Sequence, residues 1–173
     1  PISDAVIWRG EGDAAARGRR LRQRLARTTG HDRKLIVTRH PEVAQPRTDP
    51  LREEHAELTN GRLDILVNSA GVVRMGSIED SDPADWRAVI DVNLMATYYP
   101  CRAAIPIMKA QGCGDIINIS STAGRRASAM VSSYTASKHA VNAFSEALRR
   151  EVGADGIRVC VIEPGATVSE VYE

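Results

Sequence analysis

The chain has 173 residues, a formal net charge of +1 and an apolar share of 43%, which is ordinary for a globular protein. This length fits one domain built on a single hydrophobic core. The near-neutral charge argues against a nucleic-acid or membrane-surface role that depends on bulk electrostatics, and no apolar run approaches the roughly 20 residues needed to cross a bilayer.

The cysteine content indicates a reduced protein without a structural metal. Cys101, Cys113 and Cys160 are widely spaced and form no C-x-x-C pair. Neither a disulfide framework nor a zinc site is therefore predicted. Because the N-terminus also has no charged-then-apolar signal pattern, a soluble protein of the reducing cytoplasm is the simplest expectation.

Short runs rich in Val, Ile and Leu alternate with longer amphipathic stretches along the chain. The predicted strands, which read as buried on both faces, are Ala5–Arg9, Lys34–Arg39, Leu63–Ala70, Gly114–Ser121 and Ile157–Glu163. The predicted helices are Asp13–Thr29, Leu51–Asn60, Pro83–Ala110 and Ser132–Val152. Strand followed by helix, repeated, predicts an α/β fold with a doubly wound parallel sheet in a three-layer αβα arrangement.

The helix that begins at Pro83 has an explicit start signal. Asp82 can cap free backbone N–H groups, Pro83 suits the first helical position, and Asp85 complements the helix dipole. Gly153 and Gly156 punctuate the end of the last predicted helix.

The most informative pair of residues is Tyr134 and Lys138, which lie on the last predicted helix. An i, i+4 spacing places both side chains on one helical face, about 5 to 6 Å apart at Cβ. An adjacent ammonium favours the phenolate, so such a tyrosine can give a proton to a carbonyl or take one from an alcohol. Ser121, at the end of a predicted strand, can hydrogen-bond the same substrate oxygen. Because this spacing alone occurs by chance on many helices, the surrounding motifs decide whether the pair is interpreted as catalytic.

Those motifs resemble the short-chain dehydrogenase/reductase family, in order and spacing, over about residues 63 to 169. The matching pieces are Asn68-Ser-Ala-Gly71 after LDILV, Asn93 in DVNLMA, INISS ending at Ser121, Tyr134-x-x-x-Lys138 and Pro164-Gly165. The resemblance implies a single NAD(P)-binding domain of the Rossmann type over residues 1–173. Its cofactor-binding half would span about 1–62 and its catalytic half about 63–173.

The resemblance also implies an activity, namely hydride transfer between NAD(P)(H) and the carbonyl or alcohol group of a small molecule. Tyr134 would be the general acid/base, and Lys138 would support it while bonding the nicotinamide ribose. Ser121 would orient the substrate carbonyl, and Asn93 would hold a water in a proton relay. A family member needs no metal.

Several further residues are implied as cofactor contacts. Asn68, Ala70 and Gly71 would support the strand end beside the adenosine ribose. Pro164-Gly165, together with Thr167, would line the nicotinamide pocket and fix which face of the ring is presented.

The N-terminal third departs from the family pattern where the cofactor would bind. The family's T-G-x-x-x-G-x-G turn is matched by Gly10, Ala14 and Ala16, so two glycines are replaced by alanine. Each added methyl group crowds the approach of the pyrophosphate to the backbone. Arg39 closes the second strand, where an arginine accepts the 2′-phosphate of NADP, which favours NADP(H) while NAD(H) stays possible. Pro46 stands where the family places an adenine-contacting aspartate.

Alternatives to an active enzyme follow from these departures. A Rossmann-fold binding or regulatory pseudoenzyme would keep the site but have weakened cofactor affinity. Family members also continue past the position of Glu173, so an incomplete chain or a minimal variant is expected. A homodimer or homotetramer through the two long helices is compatible with either interpretation. The residues suited to such a contact are Met95, Ala96, Tyr98, Tyr99, Ala143, Phe144 and Ala147.

Overall fold

The structure, a computed structural model, describes residues 4–8, 34–38 and 62–166. Its strands are β1 Asp4–Trp8, β2 Lys34–Thr38, β3 Ile65–Asn68, β4 Gly114–Ile119 and β5 Ile157–Ile162. Its helices are α1 Pro83–Ile90, a π-helical turn Asp91–Met95, α2 Ala96–Gln111 and α3 Ser132–Val152. None of the helices in these ranges is long and apolar enough to cross a membrane.

The five strands form one parallel sheet in the order β1-β2-β3-β4-β5. The predicted α/β class with a Rossmann-type parallel sheet is therefore confirmed. Among the described strands the order follows the chain without reversal, so each connection adds the next strand on the same side. Parallel crossovers are right-handed, and α2 and α3 consequently lie on the same face of the sheet. The helices predicted at Asp13–Thr29 and Leu51–Asn60 lie outside the described residues.

The core is a row of aliphatic side chains that crosses four strands at one level. The register aligns Ile36 with Leu66, Leu66 with Ile116, and Ile116 with Val159. All four side chains are buried, and residues of α2 and α3 cover them. The helical residues in this cluster are Cys101, Ala104, Met108, Leu148 and Val152. Burial of this apolar surface is the main force that holds the two helices on the sheet.

A second row, two residues further along the strands, is polar and equally buried. Thr38 Oγ1 donates to Asn68 Oδ1 at 3.1 Å, and Asn68 Nδ2 donates to Asn118 Oδ1 at 2.9 Å. Asn118 Nδ2 donates in turn to Ser145 Oγ of α3 at 2.8 Å. Asn68 Nδ2 also lies 3.2 Å from Cys101 Sγ, and burial raises the pKa of that thiol to about 12. We call Thr38, Asn68, Asn118 and Ser145 the polar row.

The predicted helix Pro83–Ala110 is interrupted in the structure by the π-helical turn. Its start is as predicted: Asp82 Oδ1 accepts from Ala84 N at 2.7 Å, with Pro83 in the first turn. At the end of α2, the Gln111 carboxamide accepts from Leu63 N at 2.7 Å and donates to Leu63 O at 2.8 Å. These two bonds tie the helix end to the chain just before β3.

The turns that follow α2 and α3 touch through two glycines, Gly112 and Gly156. Both have positive φ, 70° and 74° respectively. A Cβ atom on Gly156 would lie 2.3 Å from the carbonyl oxygen of Gly112. Position 156 therefore requires glycine both for its backbone conformation and for space.

Replacing Gly156 by alanine is expected to destabilise the protein, because the left-handed conformation and the backbone contact both oppose a side chain. We expect the free energy of unfolding to fall by at least about 1–2 kcal/mol. Urea denaturation would measure the change. Gly153→Ala is the matched control, since Gly153 has helical φ of −61° and nothing within 4 Å of an added Cβ. Equal losses in the two variants would contradict this account.

Candidate active site

A cavity of about 390 Å³ opens at the carboxyl edge of β3, β4 and β5. Ligands of parallel α/β sheets bind in this position, outside the carboxyl ends of the strands. The chain after each of the three strands supplies a wall, and α3 supplies the fourth. The lining residues are Ser69, Ala70, Gly71, Val73, Ile119–Ala123, Val131, Tyr134, Lys138 and Pro164–Ala166.

The predicted pair Tyr134 and Lys138 lies on the face of α3 that lines the cavity. The Lys138 Nζ atom is 5.7 Å from the centroid of the Tyr134 ring. Lys138 is only 4% exposed, and its Nζ donates to the carbonyl oxygen of Ile119 at 3.0 Å. Burial lowers the pKa of Lys138 to about 8, because desolvation disfavours the charged amine.

Ser121 lines the same cavity from the turn that follows β4. Its Oγ accepts from Ala123 N at 3.1 Å, where it caps a short 3₁₀ turn over Thr122–Gly124. The hydroxyl proton of Ser121 is not used in that bond, so it can be donated to a ligand oxygen. Three of the four residues predicted as catalytic therefore face one cavity.

The fourth, Asn93, is fully buried in the π-helical turn and is not among the lining residues. Its carboxamide accepts from Val72 N at 2.8 Å and donates to Val72 O at 3.0 Å. The same Nδ2 donates to Ser137 Oγ at 2.9 Å. Asn93 thus links the chain after β3 to α3. A water-holding role for this residue stays a prediction.

The surroundings of Gly71 place the Asn93 amide close to the amine of Lys138. A Cβ atom on Gly71 would lie 3.6 Å from Lys138 Nζ and 3.7 Å from Asn93 Oδ1. The Asn93 carbonyl oxygen, meanwhile, accepts from Thr97 Oγ1 at 3.0 Å.

The residues predicted to bind the cofactor divide into three groups. Ala70, Gly71, Pro164 and Gly165 line the cavity, together with Tyr134 and Lys138, which are also predicted to contact the cofactor. Asn68 does not, since its side chain is buried in the polar row and bonded there. The predicted contacts that lie outside the described residues are Gly10, Ala14, Ala16, Arg39 and Thr167.

Backbone bonds hold the walls of the cavity together. Ser120 N donates to Ile162 O at 2.8 Å, and Thr122 N donates to Pro164 O at 3.0 Å. The turn that carries Ser121 is thereby fixed to the segment after β5. Ser120 and Ser137 lie within the motifs INISS and Tyr134-x-x-x-Lys138, but the motifs assign them no role, because their partners Ile162 and Asn93 are distant in the chain.

Comparison with known proteins establishes the class. Residues 15–173 match the family model described as short chain dehydrogenase. The chain therefore belongs to the short-chain dehydrogenase family, as its motifs predicted.

Two curated relatives illustrate the range of the match. The chain is 39% identical over 126 residues to a 3-alpha-(or 20-beta)-hydroxysteroid dehydrogenase of Mycobacterium tuberculosis, covering 73% of this chain and 48% of that protein. It is 40% identical over 119 residues to a D-beta-hydroxybutyrate dehydrogenase of Cupriavidus necator, covering 69% of this chain and 46% of that protein. The chain thus spans about half the length of the curated relatives it matches.

Solved structures give the same fold. A gluconate 5-dehydrogenase from Burkholderia cenocepacia, in complex with NADP and tartrate, has a TM-score of 0.78 and 28% sequence identity, over 98% of this chain and 63% of that chain. ElxO with NADP bound has a TM-score of 0.68 over 76% of this chain and 62% of that chain. Its 24% identity supports the fold alone.

The buried amine of Lys138 should make stability depend on pH in a predictable direction. Its pKa is lowered from 10.5 to about 8 on folding, so the unfolded chain binds more protons between these values. The cost of burying the ammonium is therefore fully present below pH 8 and is relieved as the pH rises.

Comparing the wild type with Lys138→Met isolates this contribution, because other titrating groups cancel in the difference. Between about pH 7 and about pH 10, the free energy of unfolding of the wild type should rise relative to the variant by about 2–3 kcal/mol. Urea denaturation at each pH is the measurement. A difference that does not change over this range would contradict the lowered pKa.

Proposed function

We propose that this protein transfers a hydride between a nicotinamide dinucleotide and a ketone or secondary alcohol, with Tyr134 as general acid/base. The observation that carries the proposal is the convergence of Tyr134, Lys138 and Ser121 on one cavity at the carboxyl edge of the sheet. The relatives named as hydroxysteroid and hydroxybutyrate dehydrogenases support the same reaction class.

In the direction of reduction, the Tyr134 hydroxyl donates its proton to the carbonyl oxygen as that oxygen gains negative charge. Ser121 donates a hydrogen bond to the same oxygen and so fixes the carbonyl beside the phenol. Lys138, when protonated, stabilises the phenolate that remains, and its burial strengthens this interaction because water does not screen it. A bound nicotinamide would supply or accept the hydride. Oxidation of an alcohol is the reverse sequence.

The donors of Lys138 fit a cofactor ribose in this cavity. A protonated amine carries three N–H donors, and Ile119 O accepts one of them. The remaining donors of a buried amine need acceptors, which the hydroxyl groups of a ribose can supply. The small residues Ala70 and Gly71 leave room on the opposite wall.

NADP(H) is the favoured cofactor, with NAD(H) as the alternative. Arg39 directly follows Thr38, whose carbonyl oxygen accepts from Ser69 N at 2.8 Å, and Ser69 lines the cavity. An arginine at the end of this strand suits the 2′-phosphate of NADP. The gluconate 5-dehydrogenase neighbour, solved in complex with NADP, supports this preference.

A second candidate function is a binding or regulatory protein with weakened cofactor affinity. It is motivated by Ala14 and Ala16, which stand where the family has glycines beside the pyrophosphate. For either function we propose a cytoplasmic homodimer or homotetramer that pairs through α2 and α3. Tyr98, which is 37% exposed on α2 and packs edge-to-face on Phe144 of α3, suits such a contact.

Titration with NADPH and with NADH, followed by nicotinamide fluorescence, separates the two candidates. We expect saturable binding with tighter affinity for NADPH, because Arg39 can pair with the 2′-phosphate. An Arg39→Glu variant should lose this preference and bind NADH at least as well. The absence of binding to either nucleotide at high micromolar concentration would exclude the enzyme function for this chain.

Two substitutions then test the assigned chemistry. Tyr134→Phe should reduce turnover of a ketone substrate by at least about 100-fold while cofactor affinity stays close to that of the wild type, since only the proton donor is removed. Lys138→Met should lower both turnover and cofactor affinity, because this residue would serve the phenolate and the ribose. Normal turnover in Tyr134→Phe would refute the mechanism.

A further inference from the structure

One turn beyond Lys138 along α3, one carboxamide joins two walls of the cavity. Asn142 lies one helical turn after Lys138 and two turns after Tyr134. Its Nδ2 donates to Gly124 O at 3.1 Å and to Glu163 Oε1 at 2.7 Å. Gly124 closes the turn that begins after Ser121, and Glu163 immediately precedes Pro164-Gly165 in sequence.

Glu163 is held from its other side by an arginine of the same turn. Its Oε2 accepts from Arg125 Nε at 2.5 Å. This hydrogen bond keeps the pKa of Glu163 below its ordinary value, so the carboxylate is charged at neutral pH. One side chain at the end of β5 therefore bonds both the turn after β4 and helix α3.

The orientation of the Asn142 carboxamide is determined by its neighbours. Both of its partners are acceptors, so the NH₂ group must face them. The Oδ1 atom is consequently buried with no partner among the described residues. A buried acceptor left unpaired is unfavourable, and such groups in native structures call for an explanation. Here the two hydrogen bonds of the NH₂ group fix the orientation of the carboxamide, and this orientation leaves Oδ1 without a partner among the described residues.

The turn also rests directly on α3, with no room for adjustment. A Cβ atom on Gly124 would lie 2.8 Å from both Asn142 Nδ2 and Ser120 Oγ, and 2.9 Å from the carbonyl oxygen of Lys138. Ser120 Oγ itself donates to that same carbonyl at 3.2 Å. The position of Ser121 relative to the catalytic helix therefore depends on this contact surface.

We propose that Asn142 and Glu163 are positioning residues, which hold the Ser121 turn and the segment after β5 against the helix that carries the catalytic pair. We call Arg125, Asn142 and Glu163 the rear clamp. None of the three lines the cavity, so the rear clamp acts through the walls that it fixes. Its effect on catalysis rests on the proposed function, whereas its effect on the two walls does not.

Gln111 provides a matched control for this proposal. Its carboxamide also makes two bonds that join a helix to the sheet, both to the backbone of Leu63 at the amino end of β3. Removing it should cost comparable stability at the opposite edge of the sheet from the cavity. If the two variants differ in their effect on the cavity walls, the difference therefore reflects where the hydrogen bonds lie and not a general loss of stability.

Hydrogen exchange of the free protein tests the effect on the walls. In Asn142→Ala, peptides that cover residues 120–126 and 163–166 should exchange about tenfold faster than in the wild type, because two hydrogen bonds that order them are lost. In Gln111→Ala the same peptides should exchange as in the wild type. Unchanged exchange of both segments in Asn142→Ala, or equal acceleration in Gln111→Ala, would overturn the proposal.

Exchanging the acid and the amide tests the effect on catalysis. Asn142→Asp places two carboxylates face to face, so kcat should fall about tenfold, with the Kd for cofactor changed by no more than about twofold. Adding Glu163→Gln should restore part of the loss, because the glutamine amide can donate to the aspartate. Wild-type kcat in Asn142→Asp, or no recovery in the double variant, would count against positioning.

Failure of the rear clamp and failure of the proposed function give different results. If the wild type binds no nicotinamide nucleotide, the enzyme function is excluded, while the exchange experiment still decides whether the rear clamp orders the two walls. If the wild type turns over and Asn142→Ala leaves both exchange and kcat unchanged, the enzyme function stands and the rear clamp is refuted.

Discussion

The polar row across the carboxyl half of the sheet is the constraint on which the site depends. Amide and hydroxyl groups buried among aliphatic residues must find partners, and Thr38, Asn68, Asn118 and Ser145 find them only in one register of β2, β3 and β4. A slip of one residue would turn these side chains to the other face of the sheet. The cavity walls follow the strands at once, with Ser69 next to Asn68, so the same register places them.

The polar row also shows where the first residue of the Asn68-Ser-Ala-Gly71 motif lies. The resemblance implies that Asn68, Ala70 and Gly71 support the strand end beside the adenosine ribose, and of these three Ala70 and Gly71 line the cavity. Asn68 belongs to the interior, where Asn118 and Cys101 bond its amide. Those partners are far away in the chain, so no local pattern indicates them. In contrast, Tyr134 and Lys138 are neighbours by helical geometry alone, and their pairing could be predicted from spacing.

The difference between local signals and contacts that are distant in the chain also applies to the fold. Apolar runs located the five strands of the described residues, and Asp82 with Pro83 located the start of α1, because both signals are local. No local signal predicts the π-helical turn, whose residue Asn93 bonds to Val72 and Ser137, both distant from it in the chain. Strands β3, β4 and β5 also end earlier than predicted. The residues after Asn68 and Ile119 leave the hydrogen-bonded ladder to form the cavity walls, which periodicity does not reveal.

The two halves of helix α3 differ in what they contact: the first half lines the site, and the second half packs in the core. Its first half carries three unfavourable burials, which are the Lys138 amine, the unpaired Oγ1 of Thr135 and the unpaired Oδ1 of Asn142. Its second half carries Leu148 and Val152 into the core, and Ser145 anchors it to the polar row. Apolar burial over the second half thus offsets the cost of desolvating charge in the first. A helix of 21 residues is long enough to hold both parts rigidly together, which lets the core hold the site in place.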